Sequence, residues 1–350
     1  MSTDEFRMIK FLKQRWFLIS LVILISCGFL IGATLSKTQV DSLVGFINPR
    51  AVTAFVLFLM AFGLDSRQLR NSFRSPKPVL WASLVNYGFI PLLAWGLMSF
   101  QQSLDFQIGL MIAASAPCTM AAASVWTRKA GGNDAVSLLV TVLTNAVCFL
   151  LTPFWLNLTT TTTTDGGVTL DAGAMIVRLV VTVLLPTLLA QVVRQFSGPA
   201  AFATRYKTPI GVIAQSCILT IVFFAACKAG TSIGGVGSSV SVSAVLLVWG
   251  TCIAVHLIAM AVGMQGARRL GFSWADRSAI AFASSQKTLP IGVLVATDPT
   301  MFGNPNLLGP GEGIPFAVFP MLMYHASQLF IDTAVADRLA ASRQPEQPPR

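Results

Sequence analysis

The stretch Ala283-Ser284-Ser285-Gln286-Lys287-Thr288-Leu289-Pro290-Ile291-Gly292 lies inside a segment, roughly 275–297, that otherwise reads as one membrane crossing. A charged side chain at mid-bilayer costs at least ~2.5 kcal/mol even on lenient insertion scales, so it persists only facing a cavity or a partner. Pro290 has no N–H and disfavours helix at Leu289, so the helix should break here and free backbone groups. Unwound backbone at membrane depth survives where it lines a cavity or is buried in protein. The plainer alternative is a proline-kinked helix with a snorkelling lysine, since Gly and Pro are common in membrane helices.

Composition places that segment in a membrane. Of 350 residues, 54% are hydrophobic and 11% charged. Soluble domains carry about 25% charged residues, so the chain reads as an all-α polytopic membrane protein. The net charge of +10 would suit nucleic acid, but the basic residues sit in short clusters between apolar runs and no soluble fold is available to present a groove. No nucleic-acid partner is expected; the lipid bilayer is. The six cysteines fall within or at the ends of apolar runs, without disulfide or metal-ligand spacing, and read as small buried residues. No zinc, P-loop or dinucleotide motif is present. Gly234-Gly235-Val236-Gly237 is a loop between membrane helices rather than a phosphate cradle.

About ten spans of suitable length can be placed, at approximately 16–35, 49–64, 78–100, 106–126, 135–157, 173–195, 209–229, 240–264, 275–297 and 314–336. Asn48 can cap the second, with Pro49 at its first position, and the seventh begins similarly with Thr208 and Pro209. Cytoplasmic loops retain Lys and Arg. With both termini cytoplasmic, only Lys37, Arg50, Arg178 and Lys228 fall outside, and Lys287 is alone at depth. The compact loops suggest a bacterial inner or plasma membrane. Thr159 to Thr164, followed by Asp165-Gly166-Gly167, reads as an outward linker, 159–172, between halves at 1–158 and 173–341. The tail 342–350 reads as disordered.

Five spans per half is odd, so the second half should be inverted relative to the first. The fourth and ninth spans should then correspond. The fourth indeed carries Ala113-Ala114-Ser115-Ala116-Pro117-Cys118-Thr119, again a proline among small and polar residues. Paired interrupted helices point to a transporter's substrate and ion site. Discontinuous helices 4 and 9 crossing at the midplane would aim helix N-termini and free carbonyls at one place, fit for an anion and a cation together.

These two segments resemble the bile acid:sodium symporter family, as do Phe62-Gly63-Leu64, Asn86-Tyr87-Gly88-Phe89-Ile90-Pro91, Gly132-Asn133 and Leu151-Thr152-Pro153. The Ser-Ser-Gln-Lys-Thr-Leu run, with Tyr324-His325-Ala326-Ser327-Gln328, is similar to its cotransporter 7-type branch. The resemblance spans nearly the whole chain. It implies ten helices in two inverted five-helix repeats, and alternating-access, typically sodium-driven, uptake of a small organic anion. It also implies cation ligands at Asn86, Ser124, Ser137, Thr141 and Gln286, and substrate or coupling roles for Pro117, Thr119, Ser284, Ser285, Lys287, Thr288, Pro290 and His325. Ser137 and Thr141 are four residues apart, hence on one helical face. The family's carboxylate four residues before the glutamine is absent: Phe282 or a close neighbour stands there. Hard cations prefer carboxylate oxygens, so the Lys287 ammonium is expected to stand in for one sodium or to exchange a proton, the alternative being a permanently charged lysine that braces unwound carbonyls. Sodium, or a proton, is the expected coupling ion, with no organic cofactor.

His325 could gate, relay protons or simply pack. His256 has no polar cluster around it in sequence and reads as structural, as does Asp134 at a helix start. The tryptophans near span ends read as interfacial anchors. An intramembrane enzyme lacks a credible nucleophile–base pair, neither histidine having a local carboxylate partner. A non-transporting scaffold would gain nothing from polar groups at mid-bilayer.

Overall fold

The computed structural model describes residues 3–65, 76–120, 122–163, 170–231, 241–304, 306–309 and 313–342, with side chains from residue 16. Arg67, Arg70, Arg74, residues 164–169, the loop at 234–237 and the tail from 343 lie outside the described residues.

The chain is a succession of helices. They are α1 Thr3–Thr34, α2 Lys37–Val44 and α3 Pro49–Phe62, then α4 Pro76–Leu84, which passes through a π-helical turn, Val85–Phe89, into α5 Ile90–Met98. Next come α6 Leu104–Ser115, α7 Ala122–Lys129 and α8 Asp134–Thr163. α9 Ala172–Leu179 passes through a second π turn into α10 Leu185–Val193, followed by α11 Ser197–Arg205, α12 Lys207–Gly230 and α13 Val242–Arg269. α14 Trp274–Ser285, α15 Leu289–Thr297, a 3₁₀ turn Pro315–Val318 and α16 Phe319–Ala341 complete it. Among the described residues, 8 helices or helix pairs are long and apolar enough to cross a membrane. The protein is therefore an integral, multi-pass membrane protein. The two further crossings read from the sequence correspond to the split pair α6–α7, of which α6 is a shorter apolar helix, and to α16, which carries His325, Gln328, Asp332, Asp337 and Arg338.

Local chemistry explains the boundaries. Asn48 caps α3 as expected, its Oδ1 accepting from Arg50 N and Ala51 N. The seventh span corrects its expectation. Its helix starts at Lys207, one residue after α11, so Tyr206 is the cap position and Thr208 is already inside. The threonine run also differs. α8 continues through Thr163, because each hydroxyl donates back one turn, Thr159 to Trp155 O at 2.7 Å and Thr163 to Thr159 O at 2.8 Å. That bond is local and keeps polar side chains compatible with a helix. Tryptophans expected as anchors also tie helices together: Trp81 Nε1 donates to Gly263 O, Trp155 Nε1 to Tyr87 O and Trp249 Nε1 to Ser327 Oγ.

The helices pack as two groups. One contains α1, α3, α9–α10 and α12; the other contains α4–α8 and α13–α16, with α15 touching α3 and α12, and α8 touching α9, across the division. The α1–α12 seam is a close backbone contact. A Cβ on Gly32 would lie 2.0 Å from Cys227 O, and one on Gly230 would lie 2.5 Å from Phe29 O. Gly28 and Gly32 thus form a small-xxx-small face, the pattern that lets membrane helices approach in the absence of a hydrophobic drive. In the second group α14 and α15 are enclosed over residues 278–296, every one of which is buried. That enclosure is why polar residues are tolerated there.

Candidate ion and anion site at two broken helices

Both breaks fall where the sequence places them. α6 ends at Ser115, and Ala116 turns to extended backbone (φ −67, ψ 148). α14 ends at Ser285; Gln286 (φ −76, ψ 145) and Thr288 (φ −85, ψ 124) are extended before Pro290 opens α15 at a first-turn position. The breaks touch: Thr288 N donates to Pro117 O at 2.8 Å.

Each break frees main-chain groups, and a neighbouring helix meets them with a polar ladder. For the first it is α8. Thr152 Oγ1 donates to Ser115 O at 2.7 Å, Asn145 Nδ2 to Cys118 O at 2.9 Å and Thr141 Oγ1 to Thr119 O at 3.2 Å, while Thr144 Oγ1 accepts from Cys118 N. For the second it is α16. Gln328 accepts from Lys287 N and donates to Lys287 O, both at 2.9 Å, and Tyr324 Oη donates to Ser285 O at 2.8 Å. Each such group left unpaired in a buried setting would cost about 1–3 kcal/mol.

Successive side chains of extended backbone point to opposite sides, so Gln286 and Lys287 part company. Lys287 Nζ donates to Asn86 O at 2.7 Å, Asn86 Oδ1 at 3.1 Å and Ala116 O at 2.9 Å, and stands 5.3 Å from the Tyr87 ring centroid. Three acceptors match the three N–H bonds of an ammonium. The π turn supplies the first of them. Ile90 N reaches Val85 O instead of Asn86 O, and Pro91 has no N–H for Tyr87 O. The two carbonyls so released are taken by Lys287 Nζ and Trp155 Nε1. The Asn86 amide nitrogen meanwhile shares its two N–H bonds among Ala283 O, Ser284 O and Gln286 O, closing the C-terminal end of α14.

On the other side, Gln286 Nε2 donates to Asp332 Oδ2, and Asp332 Oδ1 lies 2.9 Å from His256 Nε2. His256 Nδ1 lies 3.2 Å from Ser285 O. This corrects the reading of His256 as lacking polar company and a carboxylate partner: the partner comes from α16 rather than from nearby sequence. Asp332 is the residue that sequence reading missed. A signal existed, because His325, Gln328 and Asp332 recur at helical spacing on one face of an apolar span.

The remaining expected residues divide. Ser137 Oγ bonds Thr127 Oγ1, and Ser124 Oγ donates to Asp134, which with Ser124 receives Arg128. These hydroxyls and Thr141 are engaged within the protein. Ser284 Oγ, Gln286 Oε1, Thr288 Oγ1 and Asn145 Oδ1 are buried around the breaks without a hydrogen-bond partner among the described residues. Ser285 Oγ returns to Ala281 O. Thr119, Pro290 and His325 line a cavity of about 460 Å³ that continues past Trp126 to Lys129 and Thr333. Thr288 gives α15 no side-chain cap, which leaves its positive dipole end without a side-chain acceptor, and Leu289 and Pro290 of its first turn line that cavity. Among the described residues, no cluster of His, Cys, Asp and Glu suits a metal ion.

The chain is 28% identical over 239 residues to the uncharacterized protein PA2026 of Pseudomonas aeruginosa, a match covering 68% of this chain and 67% of that one. It is 28% identical to a probable sodium/metabolite cotransporter, the chloroplastic BASS4 of Arabidopsis thaliana, over 67% of this chain and 53% of the plant protein. Against the sodium/bile acid cotransporter 7 of Rattus norvegicus it is 21% identical over 338 residues, 94% of this chain and 93% of the rat protein. The model of the SBF-like CPA transporter family matches residues 15–341. The chain, by that near-complete match, belongs to the SBF-like CPA transporter family.

Proposed function

We propose that this protein is a secondary transporter that carries a small organic anion by alternating access, with sodium-type coupling in which Lys287 replaces one of the ions. The observation that carries the reading is the 460 Å³ cavity running from Lys129 to the uncapped start of α15. An uncapped helix start offers N–H donors and a partial positive charge to an anion. The names of the plant and rat relatives, a sodium/metabolite and a sodium/bile acid cotransporter, support the substrate class and the ion.

Ten crossings in two inverted halves fit this reading. α6–α7 with the ladder on α8, and α14–α15 with the ladder on α16, are the same device used twice. The group containing α1, α3 and α12 is the panel against which the other group slides. With both termini cytoplasmic, the cavity mouth at Lys129 faces inward, and the conformation is the inward-open one.

The expected cation ligands argue for a reduced ion count. Asn86 Oδ1 is held by the ammonium and Ser124, Ser137 and Thr141 by neighbours, leaving Gln286 Oε1 open. A tethered ammonium does what a bound cation would do for Asn86 O and Ala116 O. The test is uptake of an anion panel into proteoliposomes under a sodium gradient, a proton gradient or neither. Anion accumulation driven by an ion gradient and lost in Lys287→Ala is expected. Failure of every gradient to drive accumulation of any anion would end the reading.

A further inference from the structure

We propose that α11, with the residues on either side of it, is a binding surface for the phosphate headgroups of acidic phospholipids, at the membrane face where α10 ends and α12 begins. The two crossings set its place: α10 ends at Val193, α11 covers Ser197–Arg205 and α12 starts at Lys207. What α11 exposes is therefore presented at the boundary between hydrocarbon and water. Arg194 fixes it there. Its buried guanidinium donates to Phe62 O at 2.6 Å and to Thr204 Oγ1 at 3.3 Å, which ties the end of α11 to the end of α3. Of α11 itself only Ala203 is buried. Outward stand Phe196, 66% exposed, Phe202, 54% exposed, and Tyr206. The Phe202 and Tyr206 ring centroids are 4.7 Å apart, the Arg205 guanidinium lies 5.5 Å from the Tyr206 ring, and Lys207 is exposed beside them. Aromatic rings and long basic side chains settle together at headgroup level, with the apolar body inward and the charged tip toward the phosphates.

The charge balance names the headgroup. Segment 194–207 holds Arg194, Arg205 and Lys207 without an acid, and no Asp or Glu occurs anywhere from 172 to 275. Elsewhere near helix ends the protein neutralises its own cations: Arg128 meets Asp134 at 2.8 Å, Lys129 meets Asp337 at 2.6 Å, and Arg50 meets Asp298. Among the described residues, Arg205 and Lys207 meet no carboxylate. Cations on an acid-free helix beside exposed rings take their anions from outside the chain, and at that depth the abundant ones are lipid phosphates. A basic residue at this level attracts an acidic membrane surface electrostatically, over about a Debye length. The surface belongs to one helix group only. That group supplies Met60, Gln215 and Ile218 to the cavity wall, so on the transporter reading lipid phosphates hold this wall at one depth while the other group moves.

The test uses the full chain in phosphatidylcholine nanodiscs, with and without phosphatidylglycerol. At low salt the parent should bind spin-labelled phosphatidylglycerol in preference to labelled phosphatidylcholine. Arg205→Gln combined with Lys207→Gln should cut that preference about five-fold for each charge removed. In about 0.5 M KCl, where the screening length falls to about 4 Å, the parent's preference should shrink as well. Arg268→Gln combined with Arg269→Gln removes the same charge from the end of α13, in the other group, and should leave most of the preference intact. An unchanged preference in the α11 variant overturns the surface. So does an equal loss in both variants, which would mark a diffuse charge effect rather than a site. If millimolar inorganic phosphate raises the melting temperature in neutral nanodiscs as much as phosphatidylglycerol does, the ligand is a free anion and the lipid assignment falls. None of these measurements involves uptake, so their failure and that of the transporter reading are distinguishable.

Discussion

Thr288 hands its main-chain N–H to the carbonyl of Pro117 at 2.8 Å, so the two interrupted helices are joined by backbone and not only by packing. Lys287 Nζ on Ala116 O adds a second bond between the two breaks. The consequences can be measured.

Lys287→Ala leaves Asn86 O, Asn86 Oδ1 and Ala116 O buried without their donor. The loss is about 1–3 kcal/mol for each acceptor that water cannot reach. If the ammonium holds the place of an ion, sodium should raise the melting temperature of Lys287→Ala more than that of the parent. Equal sodium shifts in a thermal-stability series would remove the substitution idea.

Asn86→Leu keeps the heavy-atom branching but strips the cap from the end of α14, since one amide serves Ala283 O, Ser284 O and Gln286 O. It also withdraws Oδ1 from the ammonium. Destabilisation of about 2–4 kcal/mol, from several charge-assisted and neutral bonds together, is expected in a denaturation series. A change under half a kilocalorie would mean that those carbonyls find other donors.

Arg50 at the start of α3 clasps Asp298 at the end of α15 in a bidentate pair, and Thr300 joins it. It links the two helix groups at the end remote from Lys129. Burial pushes the Asp298 carboxyl up, but the bonds from Arg50 and Thr300 outweigh it and hold it below its ordinary range. A carboxyl lowered in the folded state adds stability above its unfolded value of about 3.9, lost as pH falls through the folded value. Because Arg50 is 38% exposed, the gain is about 1 kcal/mol. Asp298→Asn should therefore melt earlier than the parent at pH 7, and the gap should close below about pH 4. If the two groups slide on one another, the same variant should also admit a thiol reagent to a cysteine placed at Thr53 more readily. A constant gap across pH would show that the ion pair is not its source.

Gly32→Ala drives a methyl onto the Cys227 carbonyl, which is backbone and cannot step aside. Overpacking of about 1–3 kcal/mol is expected. The loss should appear in the melting temperature, with uptake per folded molecule little changed. Gly96→Ala, where nothing lies within 4 Å of the added atom, is the matched control.

Both breaks, the Asn48 cap and the polar character of the crossing were readable in the chain, because proline and polar side chains inside an apolar run act locally. What eluded sequence reading depends on distant partners. His256 and Asp332 are 76 residues apart, and nothing near either announces the other. Thr208 resembles a cap until the preceding helix is seen to end one residue upstream of α12. The threonine run has a polar composition that says linker, while its hydroxyls turn inward to the helix behind them. The site residues show the same division: their cluster could be foretold, but not which hydroxyls were already engaged.

The π turn at Val85–Phe89 carries a last implication, for descent rather than for energy. It amounts to one extra residue in the helix. Deleting that residue would restore ordinary winding, in which the carbonyl now released to Lys287 is taken by the helix's own N–H. The ammonium would then lose one of its three acceptors. The bulge and Lys287 should accordingly be inherited as a unit, so that lineages which lose one lose the other.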